Sequence, residues 1–390
     1  MTTRLLVLHP ALPPYRLDLF NALAARCEFR VVFLRTTLLS QTFDQQWLQR
    51  RLIADYGYLR SGFTLNGRSI RLGVYREIRR FSPDVVVTQE FSPTTLAVLA
   101  MRALAELPYA HVVWTDDNPA SVAEDSWLRA AARGLVLPRI DGVIVLSDEA
   151  ARLYQERYGV RAPVGISPLL QNEVLFRERL GWATDEVQRI LVAYNLMGKR
   201  VLLFVGRLAH EKQVHRLIRA FRDIHTSVPD TLLALVGDGP ERASLEHLAH
   251  ASDIGSKTIF VGRKEGNELL AWFRVGAVLA LPSSFEPFGA VVNEALLSGI
   301  PVVCSNRAGA SGLIREGESG AIIDAASADA FTASLRDWIG RARPLYPSPR
   351  DVLRPSLMVV NFADAVDGFL ALVAAAQAAS SRNSIPKPRS

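Results

Sequence analysis

Two glutamates eight residues apart, Glu286 and Glu294, bracket Pro287-Phe288-Gly289 and an apolar run in the stretch SSFEPFGAVVNE. The apolar Leu279-Ala280-Leu281 before them has the length of a short buried strand and stops at Pro282, and Ala290 to Leu297 reads as a helix that ends before Gly299. Glu286 then belongs to a strand-to-helix loop, and Glu294 lies about two turns inside the helix. Backbone N–H groups near Phe288 and Gly289 form an open helix N-terminus, where an anion is favoured. A carboxylate in such a loop faces whatever the anion carries, and one on the helix can accept hydrogen bonds from a diol. The pair suits a sugar joined to a phosphate.

A second group of candidates precedes this one. After the apolar Leu202 to Val205 comes GRLAHEKQVHRLIRAF, where Val214, Leu217, Ile218 and Phe221 fall at i, i+3, i+4 and i+7. That spacing predicts an amphipathic helix beginning near Glu211, with Arg207 and Lys212 bracketing its N-terminus. A cation there opposes the helix dipole by up to about 1 kcal/mol. Two of them are accounted for by a shared anion such as a diphosphate, or by side chains turned to water or paired with Glu211. His210 and His215 have no partners at metal-ligand spacing and read as surface or helix-face residues. Val236-Gly237-Asp238-Gly239-Pro240 is a strand-end turn that lacks the third glycine of a dinucleotide fingerprint.

The elements that must position these residues alternate along the whole chain. In the first half, Arg4–Leu8, Phe29–Leu34, Val85–Val87, Ala110–Trp114 and Gly142–Leu146 read as strands; Tyr15–Ala25, Ile70–Phe81, Pro93–Ala105 and Asp148–Tyr158 read as helices. Residues 36–68 read as irregular. Asn172 to Leu196 is helical, and alternation resumes at Val201 with strands at 232–236, 258–261, 278–281 and 300–303. The expected architecture is α/β: two doubly wound Rossmann-like domains with the ligand at the strands' C-terminal ends. The expected divisions are 1–180 for the N-terminal domain and 181–360 for the C-terminal domain, with the junction near Leu180 to Lys199. A C-terminal helix over 361–379 docks on a domain, and the tail 380–390, polar and basic with two prolines, is expected to be disordered.

A chain of 390 residues with 49% hydrophobic and 22% charged residues has ample material for two cores. Its two cysteines, Cys27 and Cys304, cannot form a disulfide framework and point to a reducing compartment. The apolar run before His9-Pro10 is too short for a secretory signal, and no apolar stretch reaches the roughly 18 residues of a membrane span. A cytoplasmic protein is expected. The net charge of +6 is uneven: from Arg50 to Arg80, eight arginines stand against Asp55 and Glu77, interleaved with Trp47, Leu48, Leu52, Ile53, Tyr56, Tyr58, Leu59 and Phe63. Either this is a solvated face over ordinary core contacts, or it holds the protein on anionic lipid at the inner membrane face. No nucleic-acid-binding motif accompanies the charge.

Four segments then carry a resemblance. GRLAHEKQVHRLIRAF, LLALVGDGP, SSFEPFGAVVNE and SGIPVVCSNRAGASGLIREGESGAIID occur in this order, densely from about Val201 to Asp324. As a set they resemble the C-terminal domain of the retaining nucleotide-sugar glycosyltransferases of family four, which have the GT-B fold. ALPPYRLDLFNALA, PDVVV and DGVIVLSDEAARL are similar, more loosely, to that family's first helix, middle strand, and last strand and helix. The resemblance implies two domains facing a cleft, a nucleotide-diphosphate sugar as donor substrate, and neither cofactor nor metal. It implies that Arg207 and Lys212 hold the donor diphosphate and neutralise the departing phosphate. Glu294 would grip the ribose hydroxyls and Glu286 those of the transferred sugar, with Phe288 and Gly289 offering N–H groups. In such enzymes retention is assigned to same-face attack, with the leaving phosphate helping to deprotonate the acceptor.

The chain departs from that pattern in its first half. Asp117, with Asp116 beside it, stands where the family commonly has a histidine, and Pro10-Ala11-Leu12-Pro13-Pro14 replaces a glycine-rich loop. Asp117 either orients the acceptor hydroxyl, joining Glu286, Arg207 and Lys212 as a catalytic residue, or forms a loop cap with Asp116; a metal site there lacks a third ligand. Tyr15 and Arg16, opening the first helix, are the other acceptor contacts. The implied activity is retaining transfer of a hexose-type sugar to a saccharide or lipid-linked acceptor in envelope polysaccharide or glycolipid synthesis, with sucrose- or trehalose-type acceptors open. Two rivals share the fold: a sugar-nucleotide 2-epimerase, which needs acid–base carboxylates and a histidine near the donor sugar, and a non-catalytic partner subunit.

Overall fold

Apolar runs such as Arg4–His9 and Thr231–Val236 are buried along nearly their whole length, as strands covered on both faces must be. The computed structural model describes residues 2–36, 44–65, 68–119, 122, 126–345 and 352–383. The chain forms two compact units: Met1–Leu170 together with the chain from Phe362 on, and Gln171–Asn361.

In the first unit the strands are β1 Arg4–His9, β2 Glu28–Phe33, β3 Asp55–Tyr58, the antiparallel hairpin β4 Gly62–Leu65 and β5 Arg68–Arg71, then β6 Val85–Gln89, β7 Ala110–Trp114, β8 Gly142–Val145 and β9 Val164–Ile166. The parallel sheet runs β3-β2-β1-β6-β7-β8-β9. Successive residues serve opposite faces: Leu5, Val7, Val85 and Val87 pack with the helix Pro14–Ala24, while Leu6, Leu8 and Val86 pack with Val74, Ile78 and Val98. In the second unit the strands are β10 Arg200–Val205, β11 Thr231–Val236, β12 Thr258–Gly262, β13 Gly276–Leu281, β14 Val302–Ser305 and β15 Gly320–Ile323, in the order β12-β11-β10-β13-β14-β15. Both units are Rossmann-like, and in each the strand order reverses between the first strand and the fourth parallel one, β1 and β6 or β10 and β13.

Besides elements that the sequence reading did not give, the strands Val164–Ile166 and Gly320–Ile323 and the helix Trp127–Val136, the structure differs from it in four places. Residues 36–68 are not irregular throughout: Asp44 caps a helix Gln45–Arg51 by accepting from Trp47 N at 3.0 Å, and β3 and β4 follow. Residues 37–43 and 66–67 lie outside the described residues. Ile70 belongs to β5, paired with Phe63, and the helix begins only at Val74, after Gly73 at φ 99°. The second unit begins at Gln171, ahead of the expected 181, because the helices Glu173–Trp182 and Thr184–Ala193 are bonded into it. Arg177 donates to Leu297 O at 2.8 Å and Arg354 O at 3.0 Å, and Arg274 donates to Thr184 Oγ1 at 2.7 Å.

The fourth difference is at the C-terminus. The last helix runs Phe362–Asn383, so residues 380–383 are helical, while 384–390 lie outside the described residues. Despite Asp364 and Asp367, an 18-residue window of it reaches a mean hydropathy of 1.4, long and apolar enough by composition for a membrane span. Here its Val366, Phe369, Leu372, Val373 and Ala376 join the core of the first unit, the Phe369 ring lying edge-on to Trp114 at 5.3 Å. Gly165 permits the approach, since a Cβ there would sit 3.0 Å from Leu372.

Candidate functional site

In the second unit the loops after β10, β11, β13 and β14 are laced together at the carboxyl edge of the sheet. Gly206 N donates to Val236 O, Leu208 N to Asp238 O and Glu241 N to Leu208 O, each at 3.0 Å. A Cβ at Gly237 or Gly239 would overlap the Gly206 or Leu208 backbone, so the glycines of this strand-end turn let the Arg207 loop close on it. Ser284 N donates to Glu211 O at 2.9 Å, Gly309 N to Glu286 O at 3.2 Å and Ala310 N to Phe288 O at 2.7 Å. Gly309 in turn leaves room for the Pro287 carbonyl.

These bonds bring Lys212 and Glu286 together in an ion pair, with the side chains only 16% and 13% exposed. Lys212 does not sit on the long helix. It ends a single 3-10 turn, His210–Lys212; Gln213 at φ 53° interrupts the spiral, and the helix proper is Val214–Ser227. Nor do the cations pair with Glu211, whose backbone carbonyl takes the Ser284 bond. Arg207 is exposed, and its side chain has no protein partner among the described residues. Phe288 is buried, and Gly289 at φ 94° opens the helix Ala290–Leu297. The edge thus carries a lysine held on a carboxylate, an exposed arginine and, in the loop after β13, the start of the helix Ala290–Leu297, a combination suited to a polyanion.

Glu294, on that helix, is held apart from this pair. Gln171 Nε2 donates to its Oε1 at 2.5 Å, Gln171 N donates to Asn293 Oδ1 at 2.9 Å, and Arg179 donates to Gln171 Oε1 at 2.9 Å. Burial pushes the Glu294 carboxyl up to about 7, against the pull of Arg179 and the Gln171 hydrogen bond.

The first unit carries a different cluster at the ends of β1, β6 and β7. Asp116 accepts from Arg16 Nη2 at 2.9 Å and from Gln89 Nε2 at 3.0 Å. Arg16 is 1% exposed and stacks 3.8 Å over Trp114. Tyr15 beside it is half-buried. His9, among Phe20, Phe33 and Trp114, donates from Nδ1 to Ala11 O at 2.5 Å, and burial and Arg16 lower its pKa to about 3. It is a neutral core histidine. Asp117 faces inward, 3% exposed, with its Oδ2 taking bonds of 2.6 Å from both Arg133 and Tyr154. The expectation that Asp117 touches an acceptor, or acts in catalysis, therefore gives way: its carboxylate neutralises a buried arginine, and the one facing outward is Asp116, 31% exposed. Arg16 likewise acts through Asp116 rather than reaching solvent. Among the described residues no group of three or more His, Cys, Asp or Glu is placed for a metal ion.

Two family models match this chain, glycosyl transferases group 1 over residues 189–344 and a glycosyl transferase 4-like domain over 12–168. Together they cover most of both units. The chain belongs to the GT-B glycosyltransferases of family-four type.

Among the chain's relatives is a GDP-mannose-dependent alpha-(1-6)-phosphatidylinositol monomannoside mannosyltransferase of Mycolicibacterium smegmatis, 30% identical over 166 residues, 41% of this chain and 44% of that protein. A GDP-mannose-dependent alpha-mannosyltransferase of the same organism is 28% identical over 68% of each chain. The match thus spans less than half the length of the first of these relatives. Anabaena HepE, solved in complex with UDP, shares the fold with a TM-score of 0.67 at 17% identity, over 97% of this chain and 95% of that one.

Sequence reasoning missed Glu90 and Gln171. Glu90 directly follows β6 and precedes Ser92-Pro93, the cap and first residue of the helix Pro93–Leu104, a position that marks a strand's carboxyl end. Gln171 sits in an aperiodic stretch with no signal of its own.

The raised Glu294 pKa has a consequence for stability. Because the folded carboxyl binds its proton more tightly than the unfolded one, stability falls as pH rises from about 4.5 to about 7, and the deficit persists above that. Glu294→Gln removes it. Urea denaturation should find the variant more stable than the native protein at pH 8, by on the order of 1–2 kcal/mol, and not at pH 4.5. An unchanged difference between the two pH values would show that Glu294 titrates normally.

Proposed function

We propose that this glycosyltransferase moves a hexose-type sugar, with retention, from a nucleotide diphosphate sugar to a saccharide or lipid-linked acceptor, in envelope polysaccharide or glycolipid synthesis. The observation that carries the reading is the Lys212–Glu286 pair at the strand-order reversal of the second unit, with Arg207 exposed on the same loop as Lys212. A diphosphate arriving there draws Lys212 to itself and engages Arg207, which releases Glu286 to accept hydrogen bonds from the sugar's hydroxyls. Ionised Glu294 accepts from the ribose diol. The bond between the anomeric carbon and the phosphate oxygen breaks with its electron pair passing to the phosphate, whose growing charge the two cations offset. The acceptor oxygen bonds to the same face of that carbon, and its proton leaves towards the departing phosphate. That the M. smegmatis relatives are named for GDP-mannose, and that Anabaena HepE was solved with UDP, supports a nucleotide donor while leaving the base open. Four intact donor-side residues, Arg207, Lys212, Glu286 and Glu294, favour an enzyme over a non-catalytic partner.

The setting in this reading is the cytoplasmic face of the membrane. Arg50, Arg51, Arg60, Arg76, Arg79 and Arg80 are exposed, as are Ile53, Phe63, Leu72 and Tyr75. Leu48, Leu52 and Leu59 are core residues instead, and Arg71 donates to Leu34 O at 2.6 Å. Cations interleaved with apolar tips are what an anionic interface rewards.

Nucleoside diphosphate release from a panel of UDP-, GDP- and ADP-sugars, with and without saccharide and lipid-linked acceptors, tests the activity. Acceptor-dependent release from one donor, a product with the donor's anomeric configuration by NMR, and a loss of at least about 100-fold in Arg207→Ala/Lys212→Ala are expected. An inverted product removes retention, and epimerised nucleotide sugar without acceptor would establish the isomerase instead. Sedimentation with vesicles containing about 30% phosphatidylglycerol should carry the protein down at low salt, and Arg76, Arg79 and Arg80 changed together to Glu should abolish it. Equal pelleting of the two proteins would remove the membrane role.

A further inference from the structure

Gln171 opens the second unit and is gripped at two points by the helix Ala290–Leu297. Its backbone N–H donates to Asn293 Oδ1 at 2.9 Å, and its side-chain Nε2 donates to Glu294 Oε1 at 2.5 Å. Asn293 is buried and is steadied in turn by its Nδ2, which donates to Met358 Sδ at 3.4 Å. A primary amide can present either its oxygen or its nitrogen, and Arg179 settles which. Its Nη2 donates to Gln171 Oε1 at 2.9 Å, so the N–H end is the one that faces Glu294. Arg179 is itself anchored through Nε, which donates to Leu175 O at 3.2 Å. The order is arginine, amide, carboxylate, and each member fixes the next.

That series ends on an open atom. Glu294 is half-buried, and its Oε2 has no protein partner among the described residues. A carboxyl so enclosed resists ionisation, and the charge of Arg179 and the Gln171 N–H are what favour its charged form. The other groups around it are committed elsewhere or neutral. On the helix Glu173–Trp182, Arg177 is bonded to Leu297 O and Arg354 O, and Glu173 and Glu178 are exposed. Arg354 donates to Gly276 O and Phe273 O. The turn Gly309–Leu313 carries no titratable side chain, and burial keeps the Cys304 thiol of β14 protonated. One oxygen held and the other open is what a carboxylate needs to read a vicinal diol, whose two hydroxyls donate to Oε2 and to the remaining lone pair of Oε1.

We propose that Gln171, set by Arg179, is the positioning residue that fixes the Glu294 carboxylate for a ribose diol and so makes the 2′-hydroxyl of the nucleotide the group this site selects. The proposal rests on the transferase reading, in which ionised Glu294 meets the ribose, and adds the residues that aim it. Neither Gln171 nor Arg179 touches the nucleotide. The Gln171 amide keeps its bond to Oε1 while the diol donates to the rest of the carboxylate. A ribonucleotide thereby gains a hydrogen bond to a charged acceptor that its 2′-deoxy counterpart lacks, and the gain follows the ionisation of Glu294. Burial, against Arg179 and the Gln171 bond, places that ionisation near pH 7. Preference for ribose therefore rises with pH and levels above about 7. Without the Gln171 amide or the Arg179 charge, both of which favour the ionised form, its midpoint lies at higher pH.

The test is calorimetric affinity for UDP, GDP and ADP, each beside its 2′-deoxy counterpart, from about pH 5.5 to 8.5 in the native protein, Gln171→Leu and Arg179→Ala. The members of a pair carry the same phosphates, so the ratio of their affinities cancels the titration of the ligand. Leucine keeps much of glutamine's bulk and the backbone bond to Asn293. The native protein should favour the ribonucleotide about tenfold or more above pH 7, and clearly less at pH 5.5. Gln171→Leu should cut that preference at pH 7 to about threefold or less and move its midpoint upward, with affinity for the deoxynucleotide within about twofold of native. Arg179→Ala should shift the midpoint in the same direction. Equal losses for both members of the pair in Gln171→Leu would make the residue a structural one and overturn the proposal, as would a preference and midpoint that do not move. If the native protein binds both members equally at every pH, Glu294 does not hold the ribose and the proposal falls with that assignment. If it binds no nucleotide, the transferase reading fails and this proposal fails with it.

Discussion

A lysine held on a glutamate at the carboxyl edge of a parallel sheet is the interaction on which the proposed chemistry of the second unit depends. Lys212 and Glu286 come from loops that follow different strands, β10 and β13, and they meet only because backbone hydrogen bonds tie those loops to each other and to the loop after β14. Glycines at 206, 237, 239 and 309 make the ties possible, since at three of them any Cβ would overlap a neighbouring backbone. The pair is partly shielded, and an anion that competes for the lysine changes what the glutamate can do. A resting ion pair that a substrate can open is a sensible way to hold a cation ready without leaving it buried and unpaired.

The first unit uses the same strand order to opposite electrostatic effect. Where the second unit presents cations, the first presents carboxylates: Glu90 and Asp116 at the rim and Asp117 behind them, with the deep arginines Arg16 and Arg133 each bonded to one of the aspartates. Such a surface disfavours a second polyanion and suits hydroxyls. The division of labour follows from which residues end the strands and not from the fold, which the two units share.

Much of this was legible in the sequence. Apolar runs such as Leu202–Val205 and 232–236 had only one structural use, and the Val214, Leu217, Ile218, Phe221 spacing located its helix to within a few residues. Type and spacing singled out Glu286 and Lys212, which the structure brings into contact, although the sequence did not show that contact. What escaped was whatever depended on long-range partners. The inward turn of Asp117 is set by Arg133 and Tyr154, 16 and 37 residues away, and the Glu294 environment by Gln171, 123 residues away. The junction at Gln171 was missed for the same reason, because two amphipathic helices do not announce which core they cover. Glu90 was passed over because a lone glutamate after a strand has no periodicity; only its φ and its neighbours distinguish it.

The central claim is that the carboxyl edge of the second unit is a diphosphate site built on Arg207 and Lys212. Calorimetric titration of UDP, GDP and ADP into the native protein and into Arg207→Ala/Lys212→Ala addresses it most directly. The account predicts that one nucleotide binds in preference to the others and that the double variant, still folded by circular dichroism, loses about 100-fold in affinity, near 3 kcal/mol. Binding of equal strength by the variant, or no binding by the folded native protein, would contradict it.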